Sequence, residues 1–257
     1  MFPAPDSLDK HILTIRYSTG GFSYVVYSID NQQFTDICCR NIPNLTLKGI
    51  IKEIDGESGY GVENFRKVII LFDNSLNTFV PKEVYQNQEK DQYLDILGLT
   101  DKNSVAVADF LSSADAVNVY SIAREDFEFL SFFSGKIEYH HASSVLVASL
   151  IKANAERTDD TRIYLNIKNQ SFEMIVMKGC KLLFDNNFRF KTKEDFLYFV
   201  LFSIEQQHLD AASVPVYFFG MIEEKSKLVE TTSRYVRDIR FLSKDNDVLY
   251  KSVTCEL

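Results

Sequence analysis

The chain has 257 residues, 46% hydrophobic and 25% charged, with 21 Phe, 13 Tyr and no Trp. That apolar fraction supports a sizeable core and excludes wholesale disorder, while ten Gly and five Pro exclude a collagen-like or linker-rich chain. The formal net charge is −8; a split at residue 128 gives 11 Lys+Arg against 19 Asp+Glu before it and 17 against 17 after it, so neither half has the basic excess of a nucleic-acid or anionic-membrane binder.

In chain order, His11–Tyr17 and Phe22–Ile29 alternate and are rich in β-formers, with the turn signal Ser18-Thr19-Gly20-Gly21 between them. Asp30-Asn31 marks a second turn before Phe34–Cys39, which completes a three-stranded antiparallel meander. Leu45, Leu47, Ile50, Ile51 and Ile54 have helical spacing. Val68–Phe72 is a continuous apolar run, the mark of a strand covered on both faces in a parallel sheet. Leu76–Leu97 is mixed and ends in a predicted helix at Pro81–Leu97. Ser104–Leu111 and Ala116–Ile122 are alternating strands, Arg124–Phe133 a helix, Lys136–His140 a strand and Ala142–Ala155 a helix.

A frame shift of 150 residues repeats the opening pattern. Ile163, Leu165 and Ile167 fall where Leu13, Ile15 and Tyr17 stood, and Phe172–Met177 falls on Phe22–Tyr27. Thr192 with Asp195 three residues on approximates a capping box, Val214–Gly220 is another buried-type strand, Lys225–Tyr235 a helix and Ile239–Leu242 a short strand. Shared order and spacing predict two copies of a βββαβαβ unit. The expected domains are 1–141, carrying an inserted segment at about 75–122, and 142–257, with Thr158-Asp159-Asp160 as the boundary after the connecting helix.

Residues capable of chemistry are few. Cys38 and Cys39 are adjacent on a strand, so one is expected in the core and one outside; Cys180 and Cys255 are isolated, and no CxxC is present. His140-His141 ends a strand and reads as a structural junction rather than a ligand pair; His11 and His208 are lone. Asp73 follows a strand, where α/β sheets place ligands, but Asp-Asn-Ser is also an ordinary turn; Asp185 has no better case. Arg234, Arg237 and Arg240 recur every third residue, either as an anion-binding row or as a solvated helix end and strand surface beside Asp238. Phe196–Phe202, the longest strongly apolar run, is far short of the roughly 20 residues of a membrane span and is expected to be a helix clamped between the sheet and a neighbour. With no signal-peptide pattern at the N-terminus and no disulfide framework, a cytoplasmic protein without direct membrane insertion is expected.

Two βββαβαβ units with an insertion in the first and a connecting helix resemble the actin-like ATPase superfamily, which includes actin, sugar kinases and bacterial pilus and cell-division assembly ATPases. The pattern looks like an uncharacterised bacterial family of that duplicated RNase H-like fold. The resemblance covers about residues 10–242 and rests on element order. It implies a phosphate-cradling turn in each first hairpin, with an Asp that serves Mg²⁺. Here the first hairpin reads Ile15-Arg16-Tyr17-Ser18-Thr19-Gly20-Gly21, with Arg16 or Tyr17 in place of the acid. The second reads Leu165-Asn166-Ile167-Lys168-Asn169-Gln170-Ser171, without Asp or Gly, so its turn is not expected to reach φ > 0 easily. The adenosine-side motif is matched only by Phe218-Phe219-Gly220.

The resemblance therefore implies a scaffold or regulatory binding protein with a degenerate nucleotide site, without catalytic residues, metal or cofactor, holding another protein through its inter-domain cleft or its insertion. The alternative is an ATP-binding protein or weak ATPase with Mg²⁺, using Ser18, Thr19 and Gly20 for phosphate and Gly220 near the base. RNase H-type nuclease chemistry is disfavoured by Asn166 and by the acidic balance.

Overall fold

A computed structural model of the protein describes residues 3, 5–34, 38–59, 61–133, 135–156 and 159–242. Residues 35–37 of the expected third strand, Thr158 of the expected boundary and Cys255 lie outside them. The chain forms two compact units that divide at Leu146/Val147, inside a helix.

In the first unit, β1 (His11–Ser18) and β2 (Gly21–Ser28) form an antiparallel hairpin, and β3 (Gln33–Phe34) and β4 (Cys38–Arg40) both pair with β2. Helix α1 (Leu47–Ser58) buries Leu47, Ile50, Ile51 and Ile54 on one stripe. Its first turn is capped by Thr46, whose hydroxyl accepts from the Gly49 amide, and it stops at Gly59, left-handed at φ +79°, whose N–H bonds the Asp55 carbonyl. Strand β5 (Lys67–Asp73) returns parallel to β1 and is buried from Val68 to Asp73.

The segment that follows departs from its predicted helix. Residues Asn77–Pro81 are strand β6, and only Lys90–Asp95 form helix α2. Pro81 closes an edge strand, a place that tolerates its missing N–H. Strands β7 (Ser104–Leu111) and β8 (Ala116–Ala123) complete a three-stranded sheet in the order β6-β8-β7. One face carries Val107, Tyr120 and Ile122 into the core of the unit; the other packs Ala106, Val117 and Val119 with Leu94 of α2. Helix α3 (Arg124–Ser131), strand β9 (Ile137–His141) and helix α4 (Ala142–Ala153) follow, β9 lying parallel to β5. The main sheet runs β3-β2-β1-β5-β9.

The second unit repeats the scheme with strand bounds offset by 150: β10 is Thr161–Lys168 and β11 is Ser171–Lys178. Strand β12 (Lys181–Arg189), helix α5 (Lys193–Gln206), strand β13 (Val216–Gly220), helix α6 (Lys227–Thr232) and strand β14 (Ile239–Phe241) complete a sheet ordered β12-β11-β10-β13-β14. Thr192 and Asp195 form a reciprocal capping box on α5, which buries Phe196, Val200, Ser203 and Ile204. The apolar run of α5 is not clamped all round. Tyr198 and Phe202 are 61% and 45% exposed and stack on each other at 5.8 Å, because the helix offers one stripe to the sheet and they lie off it. Cys38 packs half-buried on the first core while Cys39 is exposed, as alternation along a strand requires.

Candidate functional site

The resemblance implies a phosphate-cradling turn in each first hairpin, at Ser18–Gly21 and at Lys168–Ser171. In the first, Ser18 pairs with Gly21, and the Ser18 hydroxyl donates to the Gly21 carbonyl at 3.0 Å. Thr19 and Gly20 form the turn itself, and the Thr19 carbonyl accepts from the Asn44 amide at 3.3 Å. Gly21, at φ +144°, is packed so closely that a Cβ would overlap the Arg40 carbonyl. The turn is thus backed by the chain's own 40–44 segment. Gly20, by contrast, has open space where a side chain would go.

At the base of this turn stands Arg16. Its Nε and Nη2 donate to Asp73 Oδ2 at 2.8 and 2.6 Å, and the Asp73 side chain is only 6% exposed. The parallel register brings the two together: Ser18 is opposite Asp73 and Arg16 opposite Leu71, so the alternate side chains Arg16 and Asp73 share the face turned away from the core of the unit. The neighbouring Tyr17 phenol is pushed up to about 12 by burial and by the Asp126 carboxylate to which it hydrogen-bonds. Asp126 in turn accepts from the Leu47 amide at 3.0 Å, capping the first turn of α1 from α3, and burial raises its own carboxyl.

In the second hairpin the turn is Asn169-Gln170, and Gln170 adopts φ +55°. The left-handed region is reached without glycine, contrary to the sequence expectation; the tight two-residue loop between fully paired strands imposes it. Asn166, the counterpart of Arg16, donates through Nδ2 to Glu173 Oε2 at 3.1 Å, and Lys168 Nζ lies 3.7 Å from the same oxygen. Gly220 ends β13 opposite Ile167 at φ +84°, where a Cβ would overlap the Ile167 carbonyl and lie 2.8 Å from Asn166 Oδ1. The Met221 amide then bonds the Ile167 carbonyl at 2.7 Å. Ser18, Thr19 and Gly20 therefore share one turn of the first unit, and Gly220 sits beside Asn166 in the second.

A buried polar network escaped the sequence reading. Asp109 of β7 accepts the His141 amide at 2.8 Å, stands 3.1 Å from His140 Nδ1 and 3.3 Å from the Tyr120 hydroxyl. Asn118 of β8 donates to the Ser144 hydroxyl at 2.9 Å and accepts from Asn77 at 3.2 Å. These bonds stitch the inserted sheet to the junction of β9 and α4. The signal was the phase of β7: Asp109 falls on the inward face with Val105 and Val107, where an acid needs buried partners. The His140 ring and the His141 amide are thereby both held by Asp109. Among the described residues no group of three or more His, Cys, Asp or Glu could hold a metal ion.

The arginine row disperses. Arg234 pairs with Glu230, while Arg240 pairs with Asp238 and donates to the Tyr217 hydroxyl. Arg240 also borders an open cavity of about 380 Å³, with Arg162, His208 and Asp210, at the ends of β10 and β13 remote from the hairpin turn. No helix among the described residues is long and apolar enough to cross a membrane.

Structural comparison places this architecture. A Bacteroides thetaiotaomicron protein described as having an actin-like ATPase fold and unknown function superposes with a TM-score of 0.88 over 100% of both chains at 18% identity. The PilM–PilN type IV pilus biogenesis complex gives 0.58 over 94% of this chain and 89% of that one at 12% identity. The cytoplasmic domain of EpsL, an inner-membrane component of the Vibrio cholerae type II secretion system, gives 0.52 over 96% of each at 13% identity. At these identities the likeness is one of fold, and the fold is that of the actin-like ATPases. No curated protein matches the sequence. A family model described as "Protein of unknown function (DUF3822)" matches residues 4–239, and the chain belongs to that family.

Proposed function

We propose that this protein is a non-catalytic actin-like scaffold or regulatory binding protein, cytoplasmic, whose nucleotide site is degenerate and whose role is to hold another protein. The observation that carries this reading is the chemistry at the two hairpin bases. Magnesium takes oxygen ligands, usually one or two carboxylates together with phosphate oxygens and water. Arg16 offers no lone pair and is already neutralised by Asp73, and the Asn166 amide is held to Glu173. These residues do not fit the metal, and phosphoryl transfer depends on positioning and on charge neutralisation of the kind a metal supplies. Further support comes from Gly220, whose lack of a side chain is accounted for by the Ile167 carbonyl behind it. PilM is described in a complex with PilN, and EpsL as a component of a secretion system; a binding role on the same fold has these as its analogues.

The inserted segment is the surface proposed for the partner, because Ile96 at the end of α2 and Phe110 on β7 are 82% and 57% exposed while the inner face of its sheet is anchored. Photo-crosslinking residues at these two positions, introduced in the native cell, should give a discrete adduct with one protein, whereas the same residue at Lys181 on the edge of the second sheet should not. Equal labelling at all three positions, or Mg-ATP turnover by the purified chain, would count against the proposal.

A further inference from the structure

Asp185 lies on the edge strand β12, half-exposed as a residue, yet its Oδ2 is buried and has no hydrogen-bond partner among the described residues. The same holds for Oε1 of Glu173, a residue 1% exposed on β11. The register sets Ile175 opposite Asp185 and Glu173 opposite Asn187, so Asp185 and Glu173 are diagonal neighbours on one face of the sheet. We propose that Asp185 and Glu173 share one proton, carried by Asp185 as a neutral acid, and that this buried acid pair pins edge strand β12 to β11 in a pH-dependent way.

The other Glu173 oxygen is engaged by Asn166 and by Lys168. The charged groups acting on the Asp185 carboxyl are Glu173 from β11 and Lys168 from β10. With both acids ionised, a single ammonium would face two carboxylates, and two buried oxygens would be left without donors. One proton converts that repulsive contact into a hydrogen bond and satisfies both oxygens together. Burial, then the Glu173 charge, hold the Asp185 carboxyl well above the usual carboxylate range, against the pull of Lys168. Because the folded value is raised, the folded chain retains a proton that the unfolded chain releases. The pair's contribution is fully present below the ordinary Asp range and is lost as pH rises through the folded value.

The test follows unfolding by denaturant from about pH 4 to about pH 9 for the wild type, Asp185→Asn and Asp185→Ala. The Asn amide can donate to Glu173 without titrating. Relative to Asp185→Asn, the wild-type unfolding constant should rise with pH, by up to about tenfold per unit between the unfolded and folded titrations. At about pH 7 a protonated-carboxylic-acid infrared band of the wild type should be lost from the spectrum of Asp185→Asn, and Asp185→Ala should be the less stable of the two variants throughout. A constant difference between wild type and Asp185→Asn with no protonated-acid band would overturn the proposal. So would stabilisation of the wild type alone by added Mg²⁺ or Ca²⁺, which would put a cation between the two oxygens. If Asp185→Asn does not fold, Glu173→Gln serves instead: with the Glu173 charge gone, the band should be lost at a lower pH than in the wild type, and an unchanged titration of the band refutes the shared proton.

Discussion

Gly20 and Gly220 look alike in the sequence, each a glycine after a β-rich run, but their surroundings set them apart. A methyl group at Gly20 meets nothing within 4 Å, whereas Gly220 is left-handed and backed by the Ile167 carbonyl. Gly20→Ala is therefore expected to change stability by less than about 0.5 kcal/mol. Gly220→Ala should cost about 1–3 kcal/mol, since it combines backbone strain with a clash at the end of β13. Urea denaturation of the two variants checks this; equal losses would show that the local geometry assigned to one of them is wrong. The same comparison bears on function. The glycine turn at Ser18–Gly21 was visible from residue types alone, but its meaning lay in contacts far along the chain. Arg16 finds Asp73 at a separation of 57 residues, and Asp109 finds His140 at 31. Such pairings follow from strand order and register, which residue types do not display until the sheet is assembled.

At the level of elements, the strands that pack on both faces or alternate cleanly were legible. Their periodicity is the direct imprint of burial: Leu13 and Ile15, Val68 and Ile70, Ile163 and Leu165 all lie in the cores. The stretch between Pro81 and Leu97 was not. Its apolar residues include Ile96 and Leu97, which stay exposed, and Tyr85 and Tyr93, which stack on each other across a turn, so the apparent helical period did not report a buried face. Likewise the second hairpin reached a left-handed turn on Gln170 because paired strands on either side override the local preference. Helix α1 shows how tertiary partners complete local signals. Thr46 caps one of its amides, but the Leu47 amide depends on Asp126 of α3. Asp126→Ala leaves that buried N–H and the Tyr17 hydroxyl without their acceptor and should cost about 1–3 kcal/mol, whereas Asp126→Asn keeps an acceptor oxygen and should cost less. Thermal or urea unfolding of both variants distinguishes them, and equal costs would mean that the carboxylate charge, not the acceptor, is what α1 requires.

For the molecule as a whole, the 150-residue offset links two units whose first hairpins have the same strand bounds and whose central pairing is the same: β1 with β5 in one, β10 with β13 in the other. The duplication was readable because each copy buries the same alternate positions. What each copy does with its hairpin base was only half readable: the missing acids were plain, but the ion pair on Arg16 and the amide bond from Asn166 to Glu173 had to be seen. The structural neighbours agree on the fold and leave the chemistry of these positions to the residues themselves. The most direct measurement is calorimetric titration of the full chain with Mg-ATP. A degenerate nucleotide site should give no saturable heat and no ATP-dependent stabilisation. Saturable binding that disappears in Gly20→Val, a substitution the open space around Gly20 should accommodate, would contradict it.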